Sequence, residues 1–319
     1  MNGADKDYRR MQKQEMDRQS AKELKEKEPY ITEDEGGEFE RYEKTGYLKE
    51  SCRVFHLRDC VEKEFSFHYH DFYKIIYFVD GRVDYNVEGK TYHLKPHDFV
   101  LVGANVIHKP EIDERVPYER YIIYLSEEFV SQGNERGESL RYCFEQAAQS
   151  QNRVIHFTPE SYEEIVGCLL RMERIEGQKD EYMGDFLLKS VMQEFMVIFN
   201  RNLFRQPRAF ITTAVYHEKV IDVIAYIQEH LAEEINVDLL AGYCYVSKYY
   251  LMRQFKEATG YSIHQYVNEK RIQAARRMIL SGMPASKACY ECGFRDYSTF
   301  ARRFKMIVGV APSKLGGKE

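Results

Sequence analysis

The sequence lacks the features of a membrane or secreted protein. It has no apolar run of the roughly 20 residues that a spanning helix needs and no segment that resembles a secretory signal. The seven cysteines are an odd number scattered along the chain, which fits a reducing compartment. The sequence therefore predicts a cytoplasmic protein, and its 319 residues are enough for two domains with their own cores.

Catalytic motifs are also missing. We find no nucleophile–base pair, no phosphate-binding loop and no convincing pair of acids. Cys289 and Cys292 have the spacing of a redox or metal pair, but they lie on a predicted helix and no second pair accompanies them. We therefore expect these cysteines to be structural, and we expect no catalytic residue and no cofactor.

A repeated helical pattern is the most informative feature that the sequence does contain. It spans residues 247–260 and recurs 49 positions later at residues 296–309. Ser247 and Asp296 suit helix N-caps, and Gly260 and Gly309 suit the left-handed conformation that ends a helix. Each copy places two apolar residues four apart on one face and an arginine elsewhere: Leu251 and Phe255 with Arg253, and Phe300 and Phe304 with Arg302. A helix that reads the DNA major groove needs such an arrangement.

The segments around the two copies complete a pair of helix-turn-helix motifs. A short apolar helix and a tight turn precede each copy, over residues 237–241 and 285–289. A longer helix over residues 263–280 connects the two motifs, with Ser262 as its cap. Its buried stripe is predicted to contain Tyr266, Ile272, Ala275 and Ile279. The alternative is an ordinary helical bundle with solvated charges, which leaves the repeat unexplained.

The run from Cys292 to Lys314, CGFRDYSTFARRFKMIVGVAPSK, resembles the AraC/XylS family of bacterial transcription regulators. The resemblance covers roughly residues 218–319, and in that family two reading helices enter successive major grooves about 34–36 Å apart. It implies base contacts by Tyr249, Met252 and Arg253 on the first helix and by Tyr297, Ser298, Ala301 and Arg302 on the second. Ala285, Cys289 and Cys292 stand where the family usually has larger aliphatics or alanine. We therefore expect a looser core in the second motif.

The charge distribution agrees with a DNA-binding C-terminal half. The whole chain has a net charge of −5. Residues 218–319 contain 15 lysines and arginines against 11 aspartates and glutamates, a net charge of +4, which leaves −9 for the rest. Cations beside the predicted base contacts are expected to neutralise phosphates: Lys248, Lys256, Arg303 and Lys305.

Residues 51–157 change to short alternating runs separated by turn residues. The predicted strands are 65–78, 83–87, 91–94, 99–102 and 118–125, with hairpin turns at 80–81 and 88–89. Many short strands at regular spacing indicate a double-sheet jelly roll. The segments HYHDFYK at 68–74 and PHD at 96–98, with His108 further on, resemble the cupin-like sensor half of AraC-type regulators.

Three histidines in this region invite a metal hypothesis. His68 and His70 alternate on one strand face, and His108 is placed to meet them across the barrel. However, Lys74 stands where a metal-binding cupin generally has a carboxylate, and His97 replaces the usual glycine. We therefore predict that His68, His70, Lys74 and His108 bind a small-molecule effector and no metal. The alternatives are a metal-dependent cupin enzyme fused to a DNA-binding domain, and a DNA-binding co-regulator without a ligand.

The remaining segments complete the predicted organisation. Residues 1–50 form a charged, mobile N-terminal arm, 51–157 the cupin-like sensor domain, 158–204 a helical dimerisation element, 205–217 a linker, and 218–319 the DNA-binding domain. Helices over 159–176 and 180–204 form the dimerisation element, and packing against the barrel is the alternative role for their apolar face. The fold class is α+β multidomain, a cupin-like β jelly roll followed by helices and an all-α domain with two helix-turn-helix motifs. The expected partners are double-stranded DNA, a second copy of the chain, a small-molecule effector and RNA polymerase, with no membrane.

Overall fold

Two antiparallel sheets form the N-terminal half of the protein. The computed structural model describes residues 48, 50–60, 65–211 and 214–315, so the predicted arm over 1–50 lies outside the described residues except for 48 and 50. One sheet has the order β1-β7-β2-β5-β8 and the other the order β6-β3-β4-β9. The strands are β1 Cys52–Asp59, β2 Tyr73–Asp80, β3 Val83–Val87, β4 Lys90–His93, β5 Asp98–Val102, β6 His108–Ile112, β7 Tyr118–Leu125, β8 Val154–His156 and β9 Val215–Tyr216. The predicted jelly roll is confirmed.

Side-chain alternation explains how the sheets bury their faces. In β3, Val83, Tyr85 and Val87 are buried while the residues between them are half-exposed. β5 is buried throughout, because Val100 and Val102 point between the sheets whereas its other apolar residues point towards helices. The hairpin between β3 and β4 turns at Glu88 and Gly89, with φ of 45° and 84°. Two positive φ values are typical of a type I′ turn, so the predicted hairpin is confirmed.

The first predicted strand is longer than the observed one. β2 begins at Tyr73, whereas the sequence predicted a strand from residue 65. His68 forms an isolated bridge with His108 of the other sheet, and the His70 carbonyl accepts a hydrogen bond from the Asn105 amide. Residues 65–72 therefore cross from one sheet to the other, and their backbone groups bond to β6 and a loop instead of extending β2.

Four helices cover the outer face of the five-stranded sheet. They are α1 Glu127–Val130, α2 Tyr142–Gln149, α3 Pro159–Glu176 and α4 Gly184–Arg205. The predicted bounds of α3 are confirmed, while α4 begins four residues later than predicted, after Met183 with φ of 59°. Val191, Phe195 and Phe199 of α4 are buried in the core against the sheet. Its opposite face leaves Phe186, Val197 and Phe204 exposed.

The segment that joins the halves contains local structure. Residues 207–209 form a 3₁₀ turn, and β9 pairs with Lys90 and Thr91 of β4. The predicted linker is thus partly a strand of the barrel. No described helix is long and apolar enough to cross a membrane.

The C-terminal half is helical and has two cores. Its helices are α5 Glu218–Glu229, α6 Val237–Tyr243, α7 Lys248–Thr259, α8 Ile263–Leu280, α9 Ala285–Glu291, α10 Tyr297–Val308 and α11 Pro312–Leu315. Helices α5 to α7 and the start of α8 share one core, which we call the first unit, and the rest of α8 with α9 and α10 form the second unit. The predicted stripe of α8 is confirmed, because Tyr266, Ile272, Ala275 and Ile279 are all buried.

Candidate functional site

The two repeated helices have the predicted caps. At α7, the Ser247 hydroxyl accepts a hydrogen bond from the Tyr250 amide at 3.3 Å, and Gly260 ends the helix with φ of 74°. At α10, the Asp296 carboxylate accepts from the Thr299 amide at 2.6 Å, and Gly309 ends the helix with φ of 87°. The hydrogen bonds from Thr299 hold the pKa of Asp296 below its usual value. These caps fix where each helix begins and ends.

Buried residues orient both helices. Leu251 and Phe255 of α7 are fully buried in the first unit, and Phe300 and Phe304 of α10 are fully buried in the second. The residues between them must point outwards because a helix repeats its faces every three to four residues. We call α7 and α10 the reading helices.

The predicted base-contacting residues lie on the outer faces of the reading helices. Tyr249 is 77% exposed and Met252 46% exposed. Arg253, Ser298 and Arg302 are exposed as well, Tyr297 lies at 36% exposure, and Ala301 is half-buried. Arg253 has a loose ion pair with Glu257, with Nε and Oε1 4.0 Å apart. Such an exposed, marginal pair holds the guanidinium weakly and leaves it available for another acceptor.

Four cations flank these surfaces as predicted, but not all are equally accessible. Lys256 and Lys305 are exposed, and Lys248 lies 3.4 Å from Asp238 in an exposed ion pair. Arg303 is half-buried, and its charge helps burial to lower the pKa of His264 on α8. Arg303 therefore points partly towards the connecting helix.

The cysteine pair is part of the second core. Cys289 and Cys292 are buried, and the Cys292 thiol donates to the Cys289 carbonyl at 3.3 Å. Burial raises the pKa of Cys292 to about 12. Since the thiolate is the reactive form, this environment favours the structural role that the sequence predicted.

The barrel brings the three predicted histidines together at one end. The ring centroids of His68 and His108 lie 4.3 Å apart, and those of His70 and His108 lie 4.9 Å apart. Each Nδ1 is 2.7–2.9 Å from a backbone carbonyl, of Ser66, Phe72 and Val106 respectively. A carbonyl only accepts hydrogen bonds, so each Nδ1 carries a proton. In a ring that is neutral, Nε2 is then a hydrogen-bond acceptor.

Two of these acceptors are buried without a partner. Nε2 of His70 and of His108 makes no hydrogen bond to the described part of the chain. Burial lowers the pKa of both rings well below the usual value, and neighbouring charges at Lys74 and His68 add to the effect. Both rings are therefore neutral. Because an unpaired buried polar atom costs free energy, this arrangement fits a site that a ligand completes.

Lys74 and Tyr85 supply donors to the same space. Burial lowers the pKa of Lys74 to about 7, the charge of Arg120 adds to this, and no carboxylate among the described residues opposes it. The Tyr85 hydroxyl is buried without a partner, and its ring stacks on His108 with centroids 6.0 Å apart. Within the described ranges, no three His, Cys, Asp or Glu side chains are arranged to hold a metal ion.

Two family models match the chain over these sites. The model described as a helix-turn-helix domain matches residues 240–317, which contain both reading helices. The model described as an AraC-like ligand binding domain matches residues 54–179, which contain the histidines and Lys74. The chain belongs to the AraC family of transcription regulators. It is a DNA-binding regulator with an AraC-like ligand-binding domain.

Curated relatives of this AraC-family chain match it over most of their length. The probable transcriptional regulator LumQ from Photobacterium leiognathi is 23% identical over 257 residues, which cover 80% of this chain and 94% of that protein. The transcriptional activator RhaS from Shigella sonnei is 23% identical over 255 residues, which cover 80% and 88%. A solved structure of ToxT from Vibrio cholerae is 15% identical, with a TM-score of 0.33, over 83% of this chain and 97% of that chain.

Proposed function

We propose that this regulator reads two successive major grooves of its operator, one with each reading helix. The observation that carries this proposal is the repeat of a capped helix with an exposed arginine, Arg253 in α7 and Arg302 in α10. An arginine binds guanine O6 and N7 with two hydrogen bonds, whereas Met252 and Ala301 can touch only apolar groups such as a thymine methyl. The arginines therefore provide most of the specificity. Tyr249, Tyr297 and Ser298 add further base contacts.

Selection of duplexes from a random library by the full-length chain tests this proposal. We expect short conserved blocks in pairs, one pair for each copy of the chain, with guanine in each block and the blocks of a pair centred about 10–10.5 base pairs apart. A single block, or blocks at half a helical turn, would contradict it. Lys248, Lys256, Arg303 and Lys305 are proposed to contact phosphates, which positions the protein without selecting bases.

We further propose that the barrel binds a small hydroxylated organic anion and works without a metal or a catalytic step. The imidazole acceptors of His70 and His108 match ligand hydroxyl hydrogens, and the Lys74 ammonium matches a carboxylate. His68 completes this end of the barrel. Few polar groups in an otherwise apolar pocket are typical of a site that orients one ligand.

A thermal-shift screen of the full-length chain tests the ligand class. Sugar acids such as gluconate and galacturonate, neutral sugars and divalent metals form the panel, since a ligand of the folded state raises its stability. We expect sugar acids to stabilise the wild type and to lose their effect in Lys74→Met. A response to metals alone would favour a metal-dependent enzyme instead. No response from any class would favour a co-regulator without a ligand.

The outer face of α4 is proposed to hold two copies together. Phe186, Leu187, Val197 and Phe204 are 64%, 50%, 43% and 72% exposed on this helix. Phe186 and Phe204 lie nine residues on either side of position 195, so two antiparallel α4 helices would bring each of them opposite the other. Burial of four large apolar side chains per copy favours such a dimer.

The RhaS relative is named an activator. We propose that this chain also activates transcription, in the cytoplasm and by contact with RNA polymerase. Transcription in vitro from a promoter that carries the selected operator measures the sign. An increase that requires the chain supports activation, and a decrease would indicate repression.

A further inference from the structure

Residues 67–71 have two functional faces. His68 and His70 point into the barrel, where they meet His108. The residues that alternate with them face the C-terminal half: Tyr69 is buried in the core of the first unit, and the Asp71 carboxylate lies 3.2 Å from the Arg276 guanidinium of α8. A Cβ on Gly260, which ends α7, would lie 2.6 Å from the Phe67 ring. One short segment thus carries two of the candidate ligand-binding histidines and lies against the end of a reading helix.

The start of β6 repeats this arrangement. His108 points into the barrel, whereas Ile107 is 1% exposed and belongs to the core of the first unit. The hydroxyl of Tyr69 also hydrogen-bonds to Glu269 of α8. The first unit therefore includes barrel residues in its own hydrophobic core.

The β3–β4 hairpin adds a buried charged contact. The Glu88 carboxylate lies 2.7 Å from Lys270 Nζ of α8 and 3.1 Å from Arg153, and it accepts from the Tyr266 hydroxyl at 3.3 Å. Burial alone would raise the pKa of Glu88, but Lys270 and Arg153 outweigh it and hold the pKa below its usual value. Gly89 next to it packs closely on α5, because a Cβ there would lie 3.1 Å from Cγ1 of Val220.

Hydrogen bonds connect the pocket wall to this charged contact. The His70 carbonyl accepts from the Asn105 amide at 2.7 Å, and the Asn105 carbonyl accepts from Lys270 Nζ at 3.0 Å. Two hydrogen bonds therefore link the His70 backbone to Lys270 of α8. A ligand that displaces His70 would act on α8 through them.

Within the described ranges, the barrel contributes core residues to the first DNA-reading unit and none to the core of the second. Among the described residues, the second core contains no barrel residue, whereas the first contains Tyr69 and Ile107. The barrel also leaves the outer faces of both reading helices uncovered, with Arg253 and Arg302 exposed. The barrel is thus placed to change how the first unit is held, and it does not block DNA by covering the reading faces.

We propose that the barrel forms an added wall of the first DNA-reading unit, and that occupancy of the pocket is transmitted to α7 and not to α10. The docking face consists of Phe67, Tyr69, Glu88 and Ile107, whereas the Asp71–Arg276 ion pair lies on the part of α8 that belongs to the second unit. This inference rests on the proposed effector pocket for its ligand. The docking of the barrel on the first unit, which we call the mechanical part, concerns only contacts within the chain.

Hydrogen–deuterium exchange of the full-length chain tests the mechanical part. Glu88→Gln removes the buried charge between Lys270 and Arg153. Asp84→Asn is the matched control, because Asp84 is half-exposed on β3 and pairs with His93, away from α8. In Glu88→Gln we expect amides of α5 and α7 to exchange at least about tenfold faster, since local opening follows the loss of docking. Peptides of α9 and α10 should be unchanged. An equal increase in both units, or none in α7, would overturn the proposal.

A pocket variant tests the transmission without a known ligand. His70→Gln alters the pocket side of segment 67–71, and Val83→Ala removes a buried side chain at the opposite end of the same barrel, where Val83 pairs with Ile112. We expect His70→Gln to change exchange in α7 and Val83→Ala to leave α7 unchanged. A change confined to the barrel in both variants would overturn the transmission. Circular dichroism confirms that each variant is folded. The exchange experiment does not require that sugar acids bind. A failure of the ligand proposal would appear in the thermal-shift screen, and a failure of the transmission would appear in the exchange of α7.

Discussion

At the residue scale, the most unusual side chain is Lys74. Its pKa of about 7 in the folded protein is below the ordinary value near 10.4. Between about pH 7 and pH 10 the unfolded chain therefore binds a proton that the folded chain has released, so stability rises with pH across this window. For a fully buried amine, the free energy of unfolding would rise by about 1.4 kcal/mol per pH unit. Because Lys74 is partly exposed, the actual rise per pH unit is smaller.

We expect Lys74→Met to be more stable than the wild type by about 1–3 kcal/mol at pH 7, because it removes a buried amine without an ion pair. The difference should narrow as the pH rises to about 10. Denaturant unfolding at several pH values measures it, with the exposed Lys95→Met as the control. A difference that is constant with pH would show that Lys74 is not perturbed.

A second residue-scale prediction concerns the phosphate contacts. Lys256→Ala should weaken binding to all duplexes alike and reduce the salt slope of the binding constant by about 1. Titrations at several salt concentrations, on the selected operator and on an unrelated duplex, measure this. A loss confined to the selected operator would mean that Lys256 reads a base.

At the element scale, the caps decide whether the reading helices are intact. Asp296→Ala should lower the free energy of unfolding, because the Thr299 amide loses its acceptor. Asp296→Asn is the matched control, since asparagine caps a helix about as well as aspartate. Thermal unfolding of both variants measures the difference. Equal destabilisation by alanine and asparagine would show that charge, rather than capping, matters at α10.

Local patterns predicted the elements well wherever the controlling interactions are local. The caps at Ser247 and Asp296 act within three residues, so the reading helices followed from sequence alone. The barrel histidines were predicted together because strand alternation puts His68 and His70 on one face. Two contacts were missed: β9 has two residues and forms only because β4 is present, and Glu88 meets partners that lie 65 and 182 positions away. The only local sign of Glu88 is a glutamate at a turn position that favours asparagine, aspartate or glycine.

At the scale of the whole molecule, α4 has one face for folding and another for assembly. Its buried face belongs to the core of its own chain, and its exposed face is the proposed dimer contact. Val191 also belongs to the apolar residues of this helix, but it is 2% exposed and lies in the core of the same chain, so Val191→Glu is expected to unfold the domain. Val197→Glu lies on the exposed face and should leave the fold intact while it splits the dimer. Sedimentation of the full-length chain at micromolar concentration measures this. A wild type that sediments as a monomer, or a dimer that survives Val197→Glu, would contradict the α4 interface.

Footprinting of the full-length chain on the selected operator and its single-base variants tests the two-groove account most directly. Arg253→Ala and Arg302→Ala should each lose about 1–3 kcal/mol of specific binding. Each should relax the preference at a different base, and the two bases should lie about one helical turn apart. Loss of preference at the same base in both variants, or at none in either, would contradict the assignment of one groove to each reading helix.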